Sequence, residues 1–224
     1  MKISKILPLA LAMLLATTSV FADGYTNGKG RETSEMTITV PKYLNIEKYG
    51  EVATSSVTNF DTHYAGINLD TAMTVSFKVS NNYDGQLIYL RATAISDSGE
   101  KVALGGTAAS PVIVFANQDH QPTQAAIENA FADTSAMNLN ANAIGFKITR
   151  TLDTEAGDHN AASSPAAETL ISDTTGKQVQ YTLKNGIYTF KYDIAQTAKT
   201  NTFSTHDQDG TYKATLILTN VAGA

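Results

Sequence analysis

The stretch from Val179 to Ile194, "VQYTLKNGIYTFKYDI", alternates large apolar side chains with mostly polar ones, and it constrains the fold more than any other feature. Successive side chains of a β-strand point to opposite faces, so the pattern predicts two strands that each bury one face. Asn185-Gly186 between them is the favoured pair for a type I′ turn, which predicts a hairpin. The cross-strand neighbours in that hairpin are Leu183 with Tyr188, Tyr181 with Phe190, and Val179 with Tyr192.

The same alternation recurs along the rest of the chain. It predicts further strands at Met73–Val79, Gln86–Ile95, Pro111–Ala116, Ala143–Leu152 and Gly210–Asn220. The turn formers of "SNNYDG", between the first two of these, predict a hairpin or a tight connection. Many short strands with frequent turn signals are typical of an antiparallel β-sandwich, so the sequence predicts an all-β fold.

Two segments depart from the strand pattern. Thr123 is a suitable N-cap for one short helix, which would place Ile127, Ala130 and Phe131 on one face. The segment from Thr154 to Gly176 is rich in Ala, Ser, Thr, Asp and Gly without periodicity, which predicts a surface loop. We therefore interpret residues 41–224 as a single β-sandwich domain with an insertion around residues 105–176.

The first residues of the chain have the composition of a secretory signal. Lys2 and Lys5 precede an apolar run from Ile6 to Ala16, and the small residues around Ala22 suit a signal peptidase. An uncleaved anchor is the alternative, but the run is shorter than the roughly 20 residues that span a bilayer. The sequence therefore predicts a signal peptide at residues 1–22, an exported mature chain, and no later transmembrane segment.

Composition and charge exclude several classes of function. The chain has no cysteine, so an exported form must be held together by packing or by a partner rather than by disulfides. The net charge is −5 and no basic cluster is present, which argues against nucleic acid as a partner.

No pattern of catalytic residues is present. The sequence contains no cysteine nucleophile, no HExxH or GxSxG motif, and no glycine-rich phosphate loop after a strand. Asp207, Asp209 and Gly210 resemble a fragment of a calcium loop but lack the remaining ligands, so we predict a solvated turn there. The four histidines, His63, His120, His159 and His206, have no metal-site spacing. We predict a nonenzymatic protein without catalytic residues, cofactors or metal.

A short apolar strand pattern precedes the sandwich. In "SEMTITV", Met36, Ile38 and Val40 alternate with threonines, and Pro41 interrupts the pattern because it lacks a backbone N–H donor. A polar segment, "DGYTNGKGRE", comes before it. One interpretation is a strand that pairs with an exposed sheet edge of another molecule. The other is the first strand of the chain's own sandwich, with Pro41 at a strand switch.

The two ends of the mature chain resemble the pilins of chaperone-usher fimbriae. The segments concerned are "ETSEMTITV", the proline that begins "PKYLNIEKYG", and "DGTYKATLILTNVAGA", and the resemblance is greatest to the cysteine-free major pilins of enterobacterial colonisation-factor fibres. It implies an immunoglobulin-like sandwich that is incomplete and is completed by a donor strand from a neighbouring subunit. Residues 23–40 would be the N-terminal extension, with Met36, Ile38 and Val40 in the donor strand. The acceptor groove would be lined by Tyr212, Ala214, Leu216 and Leu218.

The resemblance also implies a function. It predicts a noncatalytic structural subunit of a bacterial extracellular filament, a homopolymer of identical subunits that serves adhesion or biofilm formation. Such subunits reach the cell surface through the periplasm with a periplasmic chaperone and an outer-membrane usher. The biofilm-matrix subunits of Gram-positive bacteria also use N-terminal donor strands, but without chaperone and usher. A different class remains open: a secreted or periplasmic monomeric sandwich that binds a carbohydrate or host ligand through exposed tyrosines.

Overall fold

The computed structural model describes residues 34–57, 68–131, 142–154, 166–173, 176–198 and 207–222. The predicted signal peptide, and residues 23–33 of the predicted extension, lie outside these ranges. The chain divides into two units, Met1–Pro41 and Lys42–Ala224.

The second unit is an immunoglobulin-like antiparallel β-sandwich, which confirms the predicted fold class. The described residues form twelve strands and one short helix, α1 (Gln124–Asn129). The strands are β1 (Leu44–Val52), β2 (Met73–Asn81), β3 (Gln86–Ser96), β4 (Gly99–Val102), β5 (Leu104–Thr107), β6 (Ser110–Asn117), β7 (Ala143–Thr154), β8 (Ala166–Asp173), β9 (Gly176–Leu183), β10 (Gly186–Ile194), β11 (Tyr212–Lys213) and β12 (Thr215–Thr219).

The strands form two sheets that enclose one apolar core. The order in the first sheet is β1-β2-β10-β7-β6-β11, and β5 also pairs with β6. The order in the second sheet is β12-β3-β9-β8, and β4 also pairs with β3. Alternate side chains of both sheets fill the space between them, as the period-two pattern predicts. The most deeply buried of these are Val79, Ile88, Leu90, Val114, Val179, Tyr181, Leu183, Tyr188, Phe190 and Tyr192.

The two sheets are joined along one side through Ala103, which lies between β4 and β5. Its backbone N–H donates to Ala92 of β3 at 2.8 Å, and its carbonyl accepts from Val114 of β6 at 2.9 Å. Ala92 also pairs with Leu216, so β12 lies on the opposite edge of β3 from Ala103. A continuous hydrogen-bonded path therefore runs β1-β2-β10-β7-β6-Ala103-β3-β12. Its two terminal strands are the first and last strands of the sandwich.

The predicted hairpin at Asn185-Gly186 is wrong, although both strands exist and bury the predicted faces. β9 pairs with β3 and β8 in the second sheet, whereas β10 pairs with β2 and β7 in the first. The rings of Tyr181 and Phe190 meet across the sandwich, with centroids 5.3 Å apart. The reason is that alternation fixes which face is buried but not which sheet a strand joins, and large apolar rows pack as well face to face as side by side.

The segment after β2 is also a crossing between the sheets, so of the two predicted options it is the tight connection. The two crossings pack together at one end of the sandwich. Gly85 N–H donates to the Leu183 carbonyl, and Asn185 N–H donates to Asp84 Oδ1, each at 2.8 Å. These hydrogen bonds satisfy two backbone groups of the second crossing and hold the two crossings together.

Two other sequence predictions need correction. The predicted loop from Thr154 to Gly176 contains β8, which pairs with β9. Its sequence, "AAETLISD", places two apolar residues side by side and so lacks the alternation that identifies a half-buried strand. The final strand is two strands rather than one, because the chain leaves the first sheet at Lys213 and enters the second at Thr215.

The short helix begins as the sequence predicts. The Thr123 hydroxyl oxygen accepts from Ala126 N–H at 3.2 Å, and Ile127 and Ala130 are buried. The helix end lies close to β7 at Gly145, where a Cβ atom would lie 2.3 Å from the carbonyl oxygen of Ala130. A glycine at this position is what allows the chain after α1 to approach the sheet.

The Gly145→Ala variant is therefore expected to lower the free energy of unfolding by about 1 to 3 kcal/mol, because backbone must shift to admit the methyl group. Urea denaturation measures this change. Gly50→Ala is the matched control, since a Cβ atom at Gly50 has no neighbour within 4 Å. Equal stability of the two variants would contradict the close approach.

Candidate functional site

The segment Ser34–Val40, called the arm below, carries the three predicted donor residues in an exposed position. The exposed fractions of Met36, Ile38 and Val40 are 90%, 87% and 74%. Residues 34–43 belong to no strand, and the first strand of the sandwich is β1, which begins at Leu44. Three large apolar side chains at alternate positions would form one apolar face if the arm joined a sheet.

The four predicted groove residues lie on two strands rather than on one. Leu218 is 8% exposed, and Leu216 is half-buried against the core, both on the core-facing side of β12. Ala214 is half-buried at the sheet switch, and Tyr212 belongs to β11 in the first sheet. The structure therefore brings Leu216 and Leu218 together as the core-facing pair of one edge strand.

β12 is a strand with one neighbour. Among the described residues it pairs only with β3, in a register without irregularity from Thr215–Thr93 to Thr219–Tyr89. The N–H and C=O groups on the other edge of such a strand point away from the sheet and are a template for a further strand. β12 contains no charged residue and no proline that would discourage this pairing.

β1, at the other end of the hydrogen-bonded path, carries features that protect an edge. Its register with β2 shifts between Lys48 and Gly50, which marks a bulge. Lys48 and Glu51 form a salt bridge at 2.7 Å, and their cross-strand partners, Phe77 and Val75, belong to or pack against the core. These exposed charges therefore lie on the same face of β1 as Leu44 and Ile46. Charged side chains and bulges on an edge strand both discourage edge pairing, so of the two terminal strands β12 is the unprotected one.

A network of hydrogen bonds holds the segment before β12. We call it the Asn117 clasp: the side chains of Asn117, Asp119 and Asn142 bound to residues 207–212. Asn117 is fully buried, and its side-chain amide donates to the carbonyls of Gln208 and Asp209 at 3.2 and 3.1 Å. Its Oδ1 accepts from the N–H groups of Asp119 and His120 at 2.9 and 3.1 Å. All four hydrogen-bonding positions of the amide are thus used.

The other members of the clasp also bind backbone. Asp119 Oδ2 accepts from Thr211 N–H at 3.0 Å. Asn142 Oδ1 accepts from Gln208 N–H at 2.9 Å, and Asn142 N–H donates to Asp207 Oδ1 at 2.8 Å. The described residues contain no group of three or more metal-ligating side chains. The acidic turn before β11, residues 207–210, is bound by the side-chain amides of Asn117 and Asn142.

Gly210 is required at the centre of the clasp. Its φ is 137°, a conformation that favours glycine, and a Cβ atom there would lie 2.7 Å from Asp119 Oδ2 and 2.8 Å from Asn117 Oδ1. The backbone conformation and the close approach of Asn117 and Asp119 therefore explain why a glycine lies two residues before Tyr212.

Tyr212 closes the clasp from the strand side. Its hydroxyl donates to the Gln208 carbonyl at 2.8 Å. The pKa of Tyr212 is raised from 10.0 to about 12, mainly by burial and also by the nearby carboxylates of Asp207 and Asp209, while the hydrogen bond with the Asn117 side chain opposes the shift. The folded state therefore favours the protonated phenol.

This shift predicts how stability changes at alkaline pH. Between pH 10 and pH 12 the unfolded chain loses the Tyr212 proton while the folded chain keeps it, so the free energy of unfolding falls as pH rises. Tyr212→Phe is expected to cost about 0.5 to 1.5 kcal/mol at pH 8, from the lost hydrogen bond, and to decline less steeply above pH 10. Urea unfolding at pH 8 and pH 11 measures both effects. Parallel declines for the two proteins would contradict the assignment.

The tyrosines that the structure describes divide between core and surface. Tyr181, Tyr188 and Tyr192 are deeply buried, whereas Tyr43 and Tyr49 are exposed. The ammonium group of Lys78 lies 5.8 Å from the centre of the Tyr49 ring, so this exposed ring already has a cation over it. Of the exposed tyrosines among the described residues, Tyr49 is thus not an uncovered stacking surface.

Comparison with protein-family models, with curated proteins and with solved structures gives no match. Within the described ranges, no helix has the length and apolar character needed to cross a bilayer. The arm, the β12 edge and the Asn117 clasp are thus the candidate functional features of the described residues.

Proposed function

We propose that this protein is a noncatalytic structural subunit of a bacterial extracellular filament, assembled when the arm of one copy pairs with β12 of the next. The observation that carries the proposal is the exposure of Met36, Ile38 and Val40, each at least 74% exposed and outside every strand. Joining a sheet edge would bury the apolar side chains of such a segment, which favours pairing with another strand.

The chemistry of β12 matches that of the arm. Leu216 and Leu218 face the core, as Met36, Ile38 and Val40 would if the arm continued the second sheet. The threonines of the arm would then lie beside the outward residues of β12, which are Thr215, Ile217 and Thr219. Burial contributes roughly 1.5 to 3 kcal/mol for each apolar side chain, and each backbone hydrogen bond about 0.5 to 1.5 kcal/mol, before the cost of ordering the arm.

The geometry of such a contact favours a filament. The arm precedes the sandwich and β12 ends it, so each copy has one donor and one acceptor, and the two surfaces differ. A contact between different surfaces is head-to-tail, and it produces an open fibre unless its rotation closes a ring. The polymer would consist of identical subunits.

Export and surface location belong to the same proposal. They are supported by the predicted signal peptide and by the resemblance to fimbrial pilins at both ends of the mature chain. On this view the subunit passes through the periplasm, with a chaperone and an outer-membrane usher as partners, and serves adhesion or biofilm formation at the cell surface.

The test is recovery of the mature protein from the surface of its own host, followed by electron microscopy and SDS gels with and without boiling. Thin fibres, and ladders that only boiling converts to monomer, are expected. Deletion of residues 23–40 should leave a monomer with an intact sandwich. A monomer from the wild-type chain under both gel conditions, or a deletion variant that still forms fibres, would contradict the proposal. Ligand binding by that monomer would then favour the carbohydrate- or host-binding class.

A further inference from the structure

The alternation of β12 determines which of its faces is buried but does not by itself determine its register. β12 has five residues and one neighbouring strand, and a slide of two residues along β3 would keep the same side chains on the core face. Such a slide would move Leu216 away from Ala92 and Leu218 away from Leu90. An arm that binds beside β12 would then meet a different set of side chains.

The Asn117 clasp prevents the chain before β12 from supplying the extra length that such a slide would need. A two-residue slide moves the strand by roughly 6.6 Å, and the chain before β12 must supply that length. Asn117 holds the carbonyls of Gln208 and Asp209, and Tyr212-Lys213 are paired with β6. Only Ala214 lies between that pairing and the first residue of β12.

Asparagine is the residue that this position requires. The two N–H donors of Asn117 bind two carbonyls of the last segment, while its Oδ1 binds two N–H groups of its own loop. An aspartate would keep the second pair and lose the first, and an alanine would leave all four backbone groups without this partner.

We propose that Asn117 is a positioning residue for assembly, which fixes the register of β12 so that the arm of a neighbouring copy finds Leu216 and Leu218 in place. The inference rests on the proposed function. The inference goes beyond that function because it assigns control of the acceptor edge to Asn117, a residue that the arm itself would not contact.

The experiment uses the full-length Ile38→Asp variant, because a charge at position 38 keeps the chain's own arm out of an apolar site. Asn117→Ala and the milder Asp119→Ala are each added to this background. Ile46→Ala serves as a control that destabilises the sandwich at β1, the opposite end of the hydrogen-bonded path from β12. The probe is a fluorescent peptide of residues 34–42. Its dissociation rate is measured by anisotropy, and amide exchange of residues 215–219 is measured by mass spectrometry.

Asn117→Ala is expected to speed peptide dissociation and β12 amide exchange by about tenfold or more, and Asp119→Ala by less, while Ile46→Ala changes both by less than about twofold. If the peptide binds but Asn117→Ala and Ile46→Ala behave alike, the positioning role is overturned and the proposed function stands. If the peptide fails to bind any of these proteins, the proposed function is overturned together with the inference.

Discussion

Ile38→Asp is expected to abolish filament formation while leaving the free energy of unfolding of the sandwich unchanged. Ile38 is 87% exposed and lies outside every strand, so the monomer loses no packing when it is replaced. In the assembled state the same side chain would be buried against the core, where an unpaired carboxylate is costly. Loss of the apolar contribution and burial of the charge together weaken the contact by about a thousandfold or more.

Thr39→Asp is the matched control for this variant. It places the same charge on the neighbouring residue, whose side chain points to the opposite face of a strand. Sedimentation velocity and electron microscopy should show fibres for Thr39→Asp and monomers for Ile38→Asp. Equal loss of assembly in both variants would indicate a general effect of charge rather than a buried face of the arm.

Phe190→Ala is expected to lower the free energy of unfolding by about 3 to 5 kcal/mol, because it leaves a large cavity between the two sheets. Phe190 is fully buried, and its ring lies 5.3 Å from the ring of Tyr181 and 6.4 Å from those of Tyr188 and Tyr192. Domains of ordinary stability have a free energy of unfolding of about 5 to 15 kcal/mol, so this variant would lose a large part of that free energy.

Urea denaturation of Phe190→Ala measures this loss, with Thr189→Ala as the control. Thr189 occupies the next position on β10 and points away from the core, so its truncation should change the free energy of unfolding by less than about 0.5 kcal/mol. A loss below about 1 kcal/mol for Phe190→Ala would mean that the sheets are not packed through this ring.

The sequence predicts the buried faces because a strand repeats every two residues. Ile88, Leu90, Ala92 and Ala94 are all buried on β3, as their alternation indicates. The choice of sheet is not encoded in the same way. β9 and β10 look like partners across Asn185-Gly186, yet each pairs with a strand that lies far away in the sequence, and no local pattern identifies those strands.

The same distinction holds for the candidate site: the sequence predicts its apolar faces but not its position in the sheets. Alternation identifies Met36, Ile38 and Val40 as one apolar face, and Leu216 and Leu218 as another. The edge position of β12 follows only from the order of the strands. The Asn117 clasp could not be predicted, because Asn117 and Gln208 are separated by most of the second half of the sandwich. The closest signal is Gly210 before Tyr212, a glycine that the side chains of Asn117 and Asp119 require.

The measurement that tests the central claim most directly is disulfide trapping between two different subunits. The chain has no cysteine, so one protein carries only Ile38→Cys and the other only Leu216→Cys, and the two are mixed and oxidised. Side chains on neighbouring strands are close enough to bridge. The expected result is a reducible heterodimer in high yield, and a lower yield of heterodimer when Thr39→Cys replaces Ile38→Cys. Yields that do not depend on which arm residue carries the cysteine would contradict it.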